Sequence, residues 1–287
     1  MKRWPRPDMK SWNKDLASAM LRQSAAIALK YFDEPRLDYK KDATVVTQAD
    51  REIENALAAR LDKPREGSWL LGEETLEGRS EEYIADALAG IAWIADPIDG
   101  TASYAHHLPM WAISLGFARA GNIEEGGVYL PMEGELLVSE GPIVYRGKVT
   151  PASNAEARLT PFTPHPITVN EKTPIAMSQK SLRKGGFTGR NALQATNSAV
   201  FSLAHLCLSH YLAYMADLSL WDLAGSLAIL SKLGFCCRFA DGGVFDTHIT
   251  EKNYELSPAA GLTRWKARGN PVFAANEEAF RYVTERF

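Results

Sequence analysis

Asp96 and Asp99 stand three residues apart in the string WIADPIDGTASY (93–104), where an apolar run ends in two acids, a proline and a glycine. Two more acidic groups adjoin apolar residues: Gly72-Glu73-Glu74 follows Trp69-Leu70-Leu71, and Asp222 follows Trp221. A carboxylate beside an apolar strand loses hydration and needs compensation. Hard divalent cations supply it, and carboxylate oxygens are the donors that Mg2+ prefers. No Cys/His spacing suggests zinc instead. One aspartate shared by two cations, with further carboxylates on each side, suits two-metal hydrolysis, the metals lying about 3.5–4 Å apart. A D-x-x-D pair by itself is a weak signal and reads first as an acidic turn. The full string together with the other two clusters is far more specific.

Pro97 lacks an N–H and fixes φ, which turns the chain so that Asp96 and Asp99 can converge and presents the Ile98 carbonyl inward as a neutral ligand. Gly100 permits close backbone approach, and a helix starting after Asp99 would aim the Gly100 and Thr101 amides at an anion.

The elements that must hold these groups follow from periodicity. Helical spacing predicts helices over 15–32, 48–61, 80–89, 198–209 and 220–232. Strands are predicted at 69–71 and 91–95, an antiparallel meander at 111–118, 123–130 and 135–138, and further strands at 174–178, 211–216 and 235–239. Residues 147–166, rich in Pro, Thr and Ala, read as an inserted loop or boundary between an N-terminal half (1–150) and a C-terminal half (151–287) of one compact unit. The class is mixed α/β or α+β, in layers of helix and sheet.

Composition bounds the partners. The chain has 287 residues, 46% hydrophobic and 23% charged, with a formal net charge of −3, so no basic field calls for nucleic acid. Cys207, Cys236 and Cys237 show no ligand or disulfide spacing and read as thiols of a reducing compartment. There is no apolar h-region after the basic N-terminus and no run of about 18 apolar residues, so neither a secretory signal nor a membrane span is expected and cytoplasm is the default.

WIADPIDGTASY and WDLAG (221–225) resemble the two signature segments of the inositol monophosphatase family, GEE (72–74) matches its third metal-binding motif, and VVTQAD (45–50) resembles its early V-T-x-x-D segment. The match keeps its order from about Ser11 to Gly269-Asn270-Pro271. The resemblance implies a layered αβαβα fold, as in fructose-1,6-bisphosphatase, Mg2+-dependent hydrolysis of a small phosphate monoester, lithium sensitivity and a homodimer. It implies two or three Mg2+ per site. Glu73, Asp96 and the Ile98 carbonyl would hold one, and Asp96, Asp99 and Asp222 a second. Thr101 would polarise the attacking water, with Asp50 accepting from its hydroxyl and Glu73 among the catalytic acids. Substrate and phosphate would lie against Asp99, Gly100, Thr101, Asn197, Ser198, Met215 and Asp222.

The chain departs from the family pattern at the substrate wall. D-G-T-T-N-F becomes Asp99-Gly100-Thr101-Ala102-Ser103-Tyr104, and Gln194 and Asn197 replace the arginine and glycine of R-x-x-G-[ST]-A. Met215 stands where a polyol-binding glutamate is usual, and a thioether does not accept hydrogen bonds from hydroxyls as a carboxylate does. Histidinol phosphate, fructose 1,6-bisphosphate and a 3′-phosphonucleotide are therefore alternative substrates, and a metal-binding regulatory protein is the alternative outside enzymes. His106 and His107 read as structural or surface residues, Lys40 and Lys41 as a solvated pair, Glu74 as an acid behind the ligands, and residues 179–190 as an exposed basic loop.

Overall fold

Asn13 opens the first helix by accepting hydrogen bonds from the Asp15 and Leu16 amides, and the apolar stripe that follows buries Ala17, Met20, Leu21, Ala25 and Ala28. In this computed structural model, which describes residues 10–39, 44–150 and 157–287, that helix is α1 (Lys14–Tyr31). A short hairpin, β1 (Leu37–Tyr39) and β2 (Val45–Thr47), leads into α2 (Gln48–Leu61). Then come β3 (Trp69–Gly72), α3 (Glu81–Ala89), β4 (Ile91–Asp99) and the single turn α4 (Thr101–Ala105). The meander is β5 (Ala112–Arg119), β6 (Asn122–Leu130), β7 (Glu135–Glu140) and β8 (Ile143–Lys148), followed by β9 (Thr160–Pro161). The remainder is β10 (Ile175–Met177), α5 (Gln179–Lys184), β11 (Leu193–Gln194), α6 (Ala199–Cys207) and β12 (Ala213–Met215). It continues with α7 (Leu220–Leu233), β13 (Cys236–Phe239), β14 (Pro271–Ala274) and α8 (Glu277–Thr284).

Strands β3 to β9 form one seven-stranded sheet in chain order, and β11-β10-β12-β14-β13 form a five-stranded sheet. Helices α1 and α2 cover one face of the large sheet, α6 and α7 lie between the sheets, and α8 covers the far side of the small one. The layering is αβαβα. Each interface has its own apolar cluster, as a two-faced strand requires. Trp93 and Ala95 of β4 face α1 and α2, whereas Ala92 and Ile94 face α7. The largest cluster draws on both halves of the chain, from Leu71 to Phe273, and β9, beyond residue 150, still belongs to the first sheet.

The expected helices fall within two residues of their observed bounds. The strand expected to end at Ala95 instead continues to Asp99. Strand β14 and helix α8 are additional, as is α5 within the stretch read as a basic loop. Lys40 and Lys41 lie outside the described residues. Among the described residues no helix is long and apolar enough to cross a membrane.

Candidate active site

The two aspartates of the central strand are brought together by a β-bulge. Asp96 pairs with Ser114 of β5 and Asp99 with Ala112, so three steps along β4 oppose two along β5. In a regular strand, residues three apart point to opposite faces. The extra residue reverses that. Ile98 joins Trp93 and Ala95 in the cluster under α1 and α2, and Asp99 returns to the face that carries Asp96. Pro97 is tolerated here because the bulge leaves a position outside the ladder.

Helix α7 delivers the third carboxylate to the same face. It lies against β5 and β6 with Ala224 over Gly116 and Gly225 over Gly126. Asp222, in its first turn, accepts from the Ser219 amide at 2.7 Å in a capping box. Carboxylate oxygens of Asp96, Asp99 and Asp222 all lie within 4.8 Å of one another. Asp96 is 1% exposed, and its Oδ1 is buried without a hydrogen-bond partner.

Glu73 leaves the end of β3, its amide donating to the Ala95 carbonyl at 3.3 Å. Its charge acts on all three aspartates. Burial, then repulsion by Glu73, Asp99, Asp222 and Asp50, pushes the Asp96 carboxyl well above the usual range. Burial, then Asp99 and Glu73, does the same to Asp222. Asp99 is pushed up to about 6 by burial, against which hydrogen bonds from Ser198, Val200 and Ala199 act. Crowded carboxylates with an unpartnered buried oxygen are what an oxygen-loving divalent cation would relieve. The residues fit such an ion.

Gly100 and Ser198 close the site on the α6 side. Gly100 has φ 87°, and a Cβ there would lie 2.8 Å from the Ser198 Cβ and 3.0 Å from the Met110 carbonyl oxygen. Ser198 caps α6, accepting from the Phe201 amide at 3.1 Å, and donates its own hydroxyl to Asp99. The Val200 amide donates to the same Asp99 oxygen at 2.7 Å. Thr101 donates its hydroxyl to the Ile98 carbonyl at 2.9 Å, in place of the bond expected to Asp50. Asp50 is instead the acid of a capping box, accepting from the Thr47 amide at 2.8 Å and hydroxyl at 2.6 Å.

The departing positions have local explanations. Asn197 is exposed with φ 60°, the left-handed conformation that a glycine would supply and that asparagine tolerates best among other residues. Gln194 accepts from the Tyr211 hydroxyl at 2.7 Å. Met215, expected to form the substrate wall, packs part of its side chain into the cluster beneath the small sheet, on the opposite face of β12 from Tyr214. His106 and His107 are exposed, the latter edge-on to Phe32.

Two groups near the site were not anticipated. Tyr214 is buried, and burial followed by the charges of Asp99 and Asp222 raises its hydroxyl pKa. Glu54 is wholly buried one turn beyond Asp50 and accepts from the Glu74 amide at 2.8 Å. The signal for Glu54 was its i+4 spacing from Asp50 on α2, which puts both acids on one helix face.

The model of the Inositol monophosphatase family matches residues 12–271. An inositol-1-monophosphatase of Mesorhizobium japonicum is 28% identical, covering 72% of this chain and 77% of its own. A histidinol-phosphatase of Chlorobaculum parvum is 26% identical over 77% of this chain and 83% of its own. The structure of a Thermotoga maritima IMPase superposes with a TM-score of 0.68 at 18% identity, covering 94% of this chain and 96% of the other, a likeness of fold. With the family matched over nearly its whole length and the acidic motifs gathered on one face, the chain belongs to the inositol monophosphatase family of phosphoric monoester hydrolases.

Proposed function

We propose that the protein hydrolyses a small phosphate monoester with the help of Mg2+ held by Glu73, Asp96, Asp99, Asp222 and the Ile98 carbonyl. The observation that carries this reading is the group of three carboxylates within 4.8 Å, one of whose oxygens is buried and unpartnered. Bound Mg2+ supplies charge neutralisation for the phosphoryl oxygens and lowers the pKa of water. Two or three ions per site suit this donor set.

The chain's own residues do the rest. Thr101, whose proton is directed at Ile98, keeps its oxygen lone pairs available to accept a hydrogen bond from water and so orient it toward phosphorus. Asp50, nearly fully buried, adds negative charge beside that position. The Gly100 and Thr101 amides would hold a phosphate oxygen, with the exposed Asn197 toward the leaving group. Cytoplasmic location, a homodimer and lithium sensitivity complete the proposal, the first from cysteine usage and the others from the family.

The substrate need not be inositol 1-phosphate. Relatives named for two different substrates are 28% and 26% identical, so overall likeness does not choose between them. Gln194, Asn197 and Met215 depart from the polyol-binding pattern, which counts against inositol 1-phosphate and leaves histidinol phosphate, fructose 1,6-bisphosphate and a 3′-phosphonucleotide as alternatives. Phosphate release measured across these esters, with Mg2+ and with chelator, tests the proposal. Mg2+-dependent turnover of at least one is expected. No turnover of any, in a protein that binds Mg2+, would favour the metal-binding regulatory alternative.

A further inference from the structure

We infer that Glu54 is a positioning residue that sets the Glu73 carboxylate for metal binding by clamping the Gly72–Glu74 backbone from below. The inference rests on the proposed role of Glu73 as a metal ligand.

Glu54 projects from α2, which packs against β3 and β4, and is 0% exposed. Its Oε2 accepts the Glu74 amide at 2.8 Å, so it holds the residue that follows Glu73. It also touches the residue that precedes Glu73. A Cβ on Gly72 would lie 2.3 Å from the Glu54 Cδ and 2.4 and 2.7 Å from its two oxygens. Gly72 is thus the one residue type that lets the carboxylate seat against this strand end. Glu73 is bracketed on both sides by one side chain.

Stability alone does not account for a carboxylate here. Burial raises its pKa, the Thr75 side chain and the Glu74 and Thr75 backbone act against that, and the neighbouring charge of Glu73 has the same sign. A buried carboxylate beside a like charge carries a desolvation cost that an apolar side chain of similar volume does not. What an apolar side chain cannot do is accept the Glu74 amide and fix the loop's path. Partners behind metal ligands of this kind change metal affinity by about 10–100-fold when removed.

Calorimetric titration of the full chain with Mg2+ alone, beside thermal unfolding and steady-state kinetics, tests the inference. Glu54→Leu is expected to stay folded, the relieved burial of the charge offsetting the unpaired Glu74 amide, yet to weaken Mg2+ binding by ~10-fold or more, with kcat largely restored at saturating Mg2+. Glu54→Gln, which keeps a carbonyl acceptor for the Glu74 amide, should recover most of the affinity. A folded Glu54→Leu with wild-type Mg2+ affinity overturns the inference. Should that variant not fold, Gly72→Ala gives the same reading, since its methyl displaces the Glu54 carboxylate: weakened Mg2+ binding supports the clamp, and unchanged binding overturns it. Asp96→Asn separates the two levels. If it loses Mg2+ while Glu54→Leu keeps it, only the clamp fails. If it binds Mg2+ like the wild type, the metal-site reading fails and the clamp with it.

Discussion

The Ser198 hydroxyl donates to Asp99, 99 positions away in sequence, so the first turn of α6 and the bulged end of β4 share one hydrogen bond. Ser198 is at once the cap of a helix and the partner of a site carboxylate. Ser198→Ala should therefore cost about 1 kcal/mol of stability through the lost cap. It should also raise the Asp99 pKa, because the hydrogen bond from Ser198 now pulls it down. Chemical denaturation and an NMR titration of Asp99 would show both effects. A stability loss with no change in the Asp99 titration would mean that the serine serves the helix alone.

Asp96→Asn should abolish hydrolysis, by several orders of magnitude, with the fold retained. Asp96 has the most crowded carboxylate of the cluster and the orphan oxygen, so neutralising it removes the charge a cation would meet. Single-turnover assays at saturating Mg2+ measure this, and near wild-type turnover would contradict the metal assignment.

Thr101→Ala should lower kcat by ~10²-fold or more, the lower end of what proton-handling groups contribute, while Mg2+ affinity falls far less. The hydroxyl bonds the Ile98 carbonyl and no carboxylate of the cluster. Calorimetry beside steady-state kinetics separates the two quantities. The opposite split, lost affinity with kcat preserved, would move Thr101 into the metal shell.

The metal-free protein should lose stability as pH rises. Asp99 has a folded pKa of about 6, above its ordinary value near 3.9. A raised carboxyl contributes stability that is fully present below about 4 and lost as pH climbs through about 6. Asp96 and Asp222 shift the same way and extend the loss upward. Scanning calorimetry in chelator at pH 5 and pH 8 should find the higher Tm at pH 5. Saturating Mg2+ should shrink or reverse the difference, since a ligand of the folded state stabilises it. An unchanged pH slope with Mg2+ would show that no cation enters the cluster.

Inositol 1-phosphate should not be the preferred substrate. The acid expected to bind a polyol is a methionine whose side chain is partly committed to the cluster beneath the small sheet. Sites that hydrogen-bond hydroxyls discriminate through groups that a wrong ligand leaves unpaired, and a thioether provides little of this. Comparison of kcat/KM with a heterocyclic phosphate and a nucleotide 3′-phosphate decides the matter, and a clear preference for inositol 1-phosphate would count against the reading.

Much of this site is legible in the residues because its ligands come in short linear strings. Asp96, Asp99, Glu73 and Asp222 each sit next to an apolar run, and the runs locate β4, β3 and α7. The bulge is not legible, since it depends on how many residues of β5 oppose β4. The Thr101 bond to Ile98 and the Asp50 capping box are local bonds between residues three apart, and they displace the long-range Thr101–Asp50 pair that was expected. Helix α8 was within reach: Asn276 caps it, with Glu277 and Glu278 in its first turn, a common start signal. Strand β14 pairs antiparallel with both β12 and β13, partners fixed by tertiary structure.

The bulge at Pro97-Ile98 makes the site a matter of parity. Two acids an odd number of steps apart share a face only because one residue is uncounted by the neighbouring strand. Deleting Ile98 would make the count two against two, an even spacing that leaves Asp96 and Asp99 on one face of a regular ladder, although the side chain that anchors the bulge in the cluster under α1 and α2 is lost. Straightening the bulge with every residue kept does the opposite: the spacing stays odd, and Asp99 turns toward Tyr104 and Trp111, into that apolar cluster. The site therefore depends on an unpaired position as much as on its acids, and a change that flattens the bulge without removing a charged group should be as damaging as losing the carboxylate itself.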